Sequence, residues 1–319
     1  MNLRSRLRSL LRRGGNDPSE VVSRHWSREA GTWRTGRGRQ WTELSLVARA
    51  INRRISGREE VDAYQYVLET HLQGRLPLER VLTLGCGGGE LERGLTKYGL
   101  AREYVGLDIA DGALERARAA AREAGLEAIR YERADLDRLE LPPKTYDIVF
   151  GVFSVHHVRE LERLMDQVAR TLRPGGLFVL NEYVGPTRFQ WPREQVDLCN
   201  ALLATLPERA RRIVTSPLRV KRTIWCPTVE ELAAIDPSEA VRSAEIEPVL
   251  SRRFDVIDRR PYGGTILHPL LADIAGNFES DDPAVVAILD ALIRTEENLM
   301  ESGLIPSDFM LLIAHPRTA

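Results

Sequence analysis

The sequence predicts an α/β protein built on an open, mostly parallel sheet with helices on both faces. Three observations carry this. Short apolar runs alternate with stretches of helical periodicity between residues 81 and 183. A glycine-rich turn, Gly85-Cys86-Gly87-Gly88-Gly89, separates the first run from the first of these helices. The second run ends at Gly106-Leu107-Asp108, placing an acid roughly 20 residues beyond the turn, where a sheet of this kind binds a ribose.

Strands are expected near 81–84, 103–107, 128–132, 146–151 and 177–183, and helices near 90–98, 112–124 and 159–172. Residues 254–260 and 309–315 read as two further strands. Parallel strands joined by helical crossovers leave the ligand-binding rim at their carboxyl ends. The chain therefore divides into a core at 76–184, a helical substrate-side insertion at 185–252, and a last part at 253–319 whose two strands flank a helical insertion. In that insertion Asp281-Asp282-Pro283 is a helix start and Gly303 a stop.

Two segments precede the core. In residues 1–15, Leu3, Leu7, Leu10 and Leu11 share one helical face, Arg6, Arg8, Arg12 and Arg13 another, and Gly14-Gly15 ends the helix. Such a basic amphipathic helix docks on the protein or frays; its alternative is weak peripheral contact with an anionic membrane surface. Residues 16–75 read as helical, with Trp26, Trp33 and Trp41 as core aromatics by default.

Composition narrows the class. At 43% hydrophobic and 29% charged residues, the 319-residue chain has ample material for a core. A formal net charge of −1 supplies no bulk attraction to nucleic acid. Cys86, Cys199 and Cys226 stand too far apart for a zinc knuckle or a disulfide framework, and no run is long and apolar enough to span a bilayer. The expectation is a reduced, cytoplasmic protein, peripheral at the inner membrane face only if the first helix binds lipid. No metal is expected, because no ligand cluster is spaced for one beyond a His-His pair.

The glycine turn specifies a nucleotide-like ligand, and charge narrows it further. A dinucleotide site needs a third glycine where this chain has Glu90, and Glu92 follows; both would repel a pyrophosphate at the helix N-terminus. The Lys and Ser/Thr of a phosphate-binding loop are missing. A phosphate-free cofactor bearing a positive sulfonium suits this charge.

At this point the sequence resembles the class I S-adenosylmethionine-dependent methyltransferases. Leu84 to Gly89 is similar to that family's first motif, Val105-Gly-Leu-Asp108 to its ribose-binding strand end, and Arg133-Ala-Asp135-Leu136 to its adenine-binding position. Tyr146 to His157 is similar to the fourth strand and its loop, and Leu172 to Leu180 to the turn into the fifth. The resemblance covers about residues 78–184. It implies a Rossmann-like, doubly wound sheet of seven strands with an antiparallel edge, an N-terminal helical lid over the cofactor, and S-adenosyl-L-methionine as methyl donor, leaving as S-adenosyl-L-homocysteine. By position, the cofactor residues are Thr83, Gly85, Cys86, Gly87, Gly89, Glu90, Asp108, Ile109, Ala134, Asp135, Leu136, Val152 and Phe153. Trp33 or Trp41 is expected nearest the ligand. Thr83 departs from the family, which has an acid there to hold the cofactor's amino group; Thr accepts a hydrogen bond but carries no charge. Glu90 or Glu92 takes over, or the cofactor binds less tightly, or the site is degenerate.

Methyl transfer from a sulfonium is an in-line displacement, so catalysis consists of aligning the acceptor and, for a hydroxyl, removing its proton. His156 and His157 follow the fourth strand and Glu182 ends the fifth, so all three face one rim. The arrangement resembles that of sugar O-methyltransferases, which implies His157 as base, Glu182 as the carboxylate orienting it, and His156 as substitute. Tyr183, Arg188, Gln190, Trp191, Tyr262 and His268 are the substrate-side candidates, each equally well read as structural. The activity expected is methylation of a hydroxyl on a small molecule or glycan: a sugar, a glycolipid or a secondary metabolite. The alternatives are N- or C-methylation of a small acceptor, or a non-catalytic cofactor-binding partner protein. Nucleic acid is disfavoured, as no Asn/Asp-Pro-Pro-Tyr/Phe motif and no basic stripe with aromatics are present.

Overall fold

The structure, a computed structural model, describes residues 19–27 and 39–317. The amphipathic segment 1–13 and Trp33 lie outside the described residues. The sheet contains β1 (Leu78–Leu84), β2 (Ala101–Asp108), β3 (Ile129–Arg133), β4 (Tyr146–Val152) and β5 (Leu172–Tyr183). A separate hairpin pairs β6 (Arg212–Ile213) with β7 (Ser216–Val220), and β8 (Phe254–Gly263) and β9 (Phe309–Pro316) return to the main sheet.

The seven strands run in the order β3-β2-β1-β4-β5-β9-β8. The first five are mutually parallel, and β9 is antiparallel to both β5 and β8. Each of the three central strands is apolar almost throughout because successive side chains enter different cores. Val81, Ile148, Phe150, Leu177 and Val179 pack on one face, and Leu82, Leu84, Val149, Phe178 and Leu180 on the other.

Helices cover these faces through their own periodicity. Helix Leu161–Thr171 buries Leu161, Leu164, Met165 and Val168, the i, i+3, i+4, i+7 stripe. In the helix Pro283–Glu301, Asp282 accepts a 2.9 Å hydrogen bond from the Ala284 amide, and Gly303 turns the chain at a φ of 73°. The strand order reverses between β1 and β4, so the carboxyl ends of these two strands open the crevice where this topology places its ligand. No helix among the described residues is long and apolar enough to cross a membrane.

Candidate active site

The glycine turn leaves β1 with three residues in the left-handed region: Gly85, Gly87 and Gly89, at φ 67°, 53° and 74°. Close packing adds to the conformational need. A Cβ on Gly85 would lie 2.4 Å from Ser154 Cβ, and one on Gly89 would lie 2.2 Å from the Tyr131 hydroxyl. Asp108 braces the turn from the end of β2. One of its oxygens accepts from the Gly87 amide and the other from the Ala110 amide, both at 2.8 Å. Burial pushes its carboxyl up, and these amides oppose the shift.

Two cavities meet at Gly85. The first, of about 210 Å³, is walled by Gly85 and Gly87, by Asp108, Ile109, Asp135 and Leu136, and by Phe153, Ser154 and His157. The second, of about 350 Å³, is lined by Thr83, Gly85, Cys86, Glu90, Val152, Leu91 and Tyr64. Twelve of the thirteen cofactor positions read from sequence are thus at the glycine turn or on a cavity wall. The thirteenth, Ala134, donates its amide to the Asp108 carbonyl at 2.9 Å. Cys86 is a packed turn residue, and burial pushes its thiol up.

A helix at 19–27 lies beside this crevice, in the segment expected to form a lid. Ser19 donates to Asp135 Oδ2 at 2.6 Å, Ser23 donates to the Ile109 carbonyl at 2.8 Å, and Ser27 accepts from the Gly112 amide at 3.3 Å. Ser19, Val22 and Trp26 line the first cavity. The expectation for Trp41 is corrected: it is buried and packs against Phe309 at 5.2 Å, whereas Trp26 stands over the cavity with its ring 5.0 Å from that of His157.

The histidine pair also differs from expectation. Glu182 orients His156, not His157: its Oε2 lies 2.7 Å from His156 Nδ1, and its Oε1 accepts the Ser154 and Val155 amides at 2.6 Å each. Glu239 lies 3.5 Å from His156 on the other side of the ring. Burial alone would push His156 down, but these two carboxylates hold it up at about 10, so it stays an imidazolium. An imidazolium locked between two acids is no base.

His157 has the opposite character. Burial and the adjacent His156 charge push its pKa down, leaving a neutral ring on the cavity wall. Its Nδ1 lies 3.1 Å from Ser238 Oγ, and the Ser238 hydroxyl donates to Asp236 Oδ1 at 2.6 Å. Ser238 has one proton and gives it to Asp236, so it can only accept from His157. That fixes the His157 proton on Nδ1 and leaves Nε2 unprotonated.

Asp236, Ser238 and Glu239 carry no sequence signal beyond the Asp-Pro turn at 236–237. Arg188, expected to grip substrate, instead holds their loop by donating to the Glu239 and Pro237 carbonyls at 3.0 and 2.9 Å. The other substrate-side candidates likewise stand off both cavities. Tyr183 donates to the Pro186 carbonyl at 3.0 Å, Tyr262 to Asn181 at 2.6 Å, and Gln190 to the Arg188 and Pro227 carbonyls at 2.9 and 2.8 Å. Trp191 and His268 pack with Phe189 in an aromatic cluster, where burial pushes His268 down to about 4.

The chain is similar to known proteins over part of its length. Residues 82–180 match the family model described as a methyltransferase domain. The chain is 31% identical over 158 residues to the fatty-acid O-methyltransferase of Mycolicibacterium smegmatis, covering 49% of this chain and 56% of that one. It is 32% identical over 123 residues to the 27-O-demethylrifamycin SV methyltransferase of Amycolatopsis mediterranei, covering 37% and 44%. These matches span about half the length of each relative. Among solved structures, the geranyl diphosphate C-methyltransferase of Streptomyces coelicolor superposes with a TM-score of 0.54 at 15% identity, covering 95% of this chain and 99% of its own, which is a likeness of fold. With this strand order and glycine turn, residues 82–180 carry a methyltransferase domain of the class I S-adenosylmethionine-dependent kind.

Proposed function

We propose that this protein moves a methyl group from S-adenosyl-L-methionine to a hydroxyl of a small molecule. The residues present fit that cofactor. The glycine turn is a cradle that a Cβ at Gly85 would disrupt, and Asp108 lines the first of the two cavities. Asp108 would take the ribose hydroxyls, Asp135 and Ile109 the adenine, and the cavity beside Thr83 the amino-acid end. When bound, the cofactor supplies an electrophilic methyl on a positive sulfur.

The observation that carries the hydroxyl reading is His157, a neutral imidazole on the cavity wall whose free nitrogen is Nε2. A neutral alcohol is a poor nucleophile, and an unprotonated imidazole nitrogen is a group that can take its proton. As His157 takes the acceptor's proton, the Nδ1–H bond through Ser238 to Asp236 stabilises the imidazolium that forms. Trp26 and Phe153 border the same space. A sugar or glycolipid acceptor and a lipophilic secondary metabolite both meet this requirement.

The test is transfer of labelled methyl from S-adenosylmethionine into a cell extract, resolved into aqueous small-molecule, lipid, protein and nucleic-acid fractions. Label in either of the first two as an alkali-stable ether supports methylation of a hydroxyl, and label as an alkali-labile ester points instead to a carboxylate and contradicts it. Label confined to protein or nucleic acid, or attached to carbon or nitrogen, contradicts it.

A further inference from the structure

We propose that Glu92 is a positioning residue for the amino-acid end of the cofactor, acting through the hydroxyl of Thr83; this rests on the cofactor reading above. Glu92 lies on the helix Glu90–Thr96 that follows the glycine turn and is 0% exposed, yet neither of its carboxylate oxygens has a hydrogen-bond partner. Thr83 is 1% exposed, and its Oγ1 is equally without a partner. Two orphaned polar groups this deeply buried are costly, and a native fold keeps them where something satisfies them. Thr83 lines the 350 Å³ cavity, and Glu92 stands behind it.

The chemistry follows from the donor count. A Thr hydroxyl that gives its proton to a carboxylate turns its lone pairs to the cavity, where they accept from an ammonium. Thr83 alone carries no charge, but in this arrangement it transmits that of Glu92. The alternative acid, Glu90, is exposed and lies 3.7 Å from Arg93.

Burial pushes the Glu92 carboxyl up to about 7. The groups around it are Glu90 and Arg93 on its own helix, Cys86 in the turn, Tyr131 on β3 and Tyr64 on the helix Ala63–His71. Arg93 is the one cation among them. Near neutral pH Glu92 is therefore partly protonated in the free protein, and an ammonium at Thr83 draws it to the ionised form. Its proton leaves to solvent as the ligand binds.

Calorimetry of the full chain at pH 7, in two buffers of different ionisation heat, tests this with S-adenosylhomocysteine and with 5′-methylthioadenosine, which lacks the amino-acid end. The wild type should release protons with the first ligand and not with the second. Glu92→Gln should abolish that release and weaken S-adenosylhomocysteine roughly tenfold, with methylthioadenosine unchanged. Glu92→Leu should be at least as stable as the wild type in urea while binding S-adenosylhomocysteine poorly, and Thr83→Asp added to it should restore the affinity. The proposal is overturned if both variants bind S-adenosylhomocysteine like the wild type. It is equally overturned if both ligands weaken together as stability falls, which marks a structural role. A wild type that binds neither ligand instead defeats the cofactor reading itself.

Discussion

Ser238 Oγ lies 3.1 Å from His157 Nδ1, and this contact, unlike the one first expected from Glu182, sets the protonation state of the ring that faces the cavity. Ser238 passes the contact on to Asp236, which is 2% exposed. The arrangement separates two adjacent histidines by role: one held charged by two acids, the other held neutral with a defined tautomer.

Ser238→Ala should lower turnover roughly tenfold, because the imidazolium formed on His157 loses its hydrogen-bonded route to Asp236. The acid limb of the pH–rate profile should move to lower pH in the variant, while S-adenosylhomocysteine affinity stays unchanged. Steady-state rates across pH 5 to about 9, with calorimetry alongside, check both parts.

Glu182→Gln should destabilise the fold by about 3 kcal/mol at neutral pH, since it leaves the buried His156 charge poorly matched. The sign of the pH dependence follows from the raised pKa. His156 binds its proton more tightly when folded, so its contribution is complete below the ordinary value of 6.5 and is lost as pH rises through about 10. The gap in urea stability between wild type and variant should therefore narrow across that window.

Asp108→Ala should weaken S-adenosylhomocysteine about ten- to a hundredfold, from the loss of the ribose acceptor and of the brace on the Gly87 amide. Methylthioadenosine should weaken to the same degree, because it keeps the ribose. This separates Asp108 from Glu92, whose loss spares methylthioadenosine.

The division between what sequence reveals and what it conceals runs along chain separation. Val81 to Leu84, Gly85 to Gly89 and Asp108 are legible because strand, turn and acid are local and the parallel register brings Leu84 beside Leu107. The pairing of β4 with β5, which sets Val152 opposite Asn181, placed Glu182 near the histidines from strand order alone. Which histidine it meets depends on the turn after β4, where Phe153 takes a φ of 49° that no periodicity announces. Asp236 and Ser238 enter from an insertion some 80 residues away in sequence, held by Arg188 through backbone carbonyls, and polar contacts to carbonyls leave no residue pattern. Trp26 reaches the cavity because serines spaced four apart, Ser19, Ser23 and Ser27, tether one helical face to the core. Those serines carry no hydrophobic signal.

The most direct measurement is the rate of labelled-methyl incorporation by His157→Ala against the wild type, with S-adenosylhomocysteine affinity measured on the same preparations. The account predicts a fall of about a hundredfold or more in rate with cofactor affinity unchanged. A variant that transfers methyl at the wild-type rate would contradict proton abstraction by His157, and with it the reading of the acceptor as a hydroxyl.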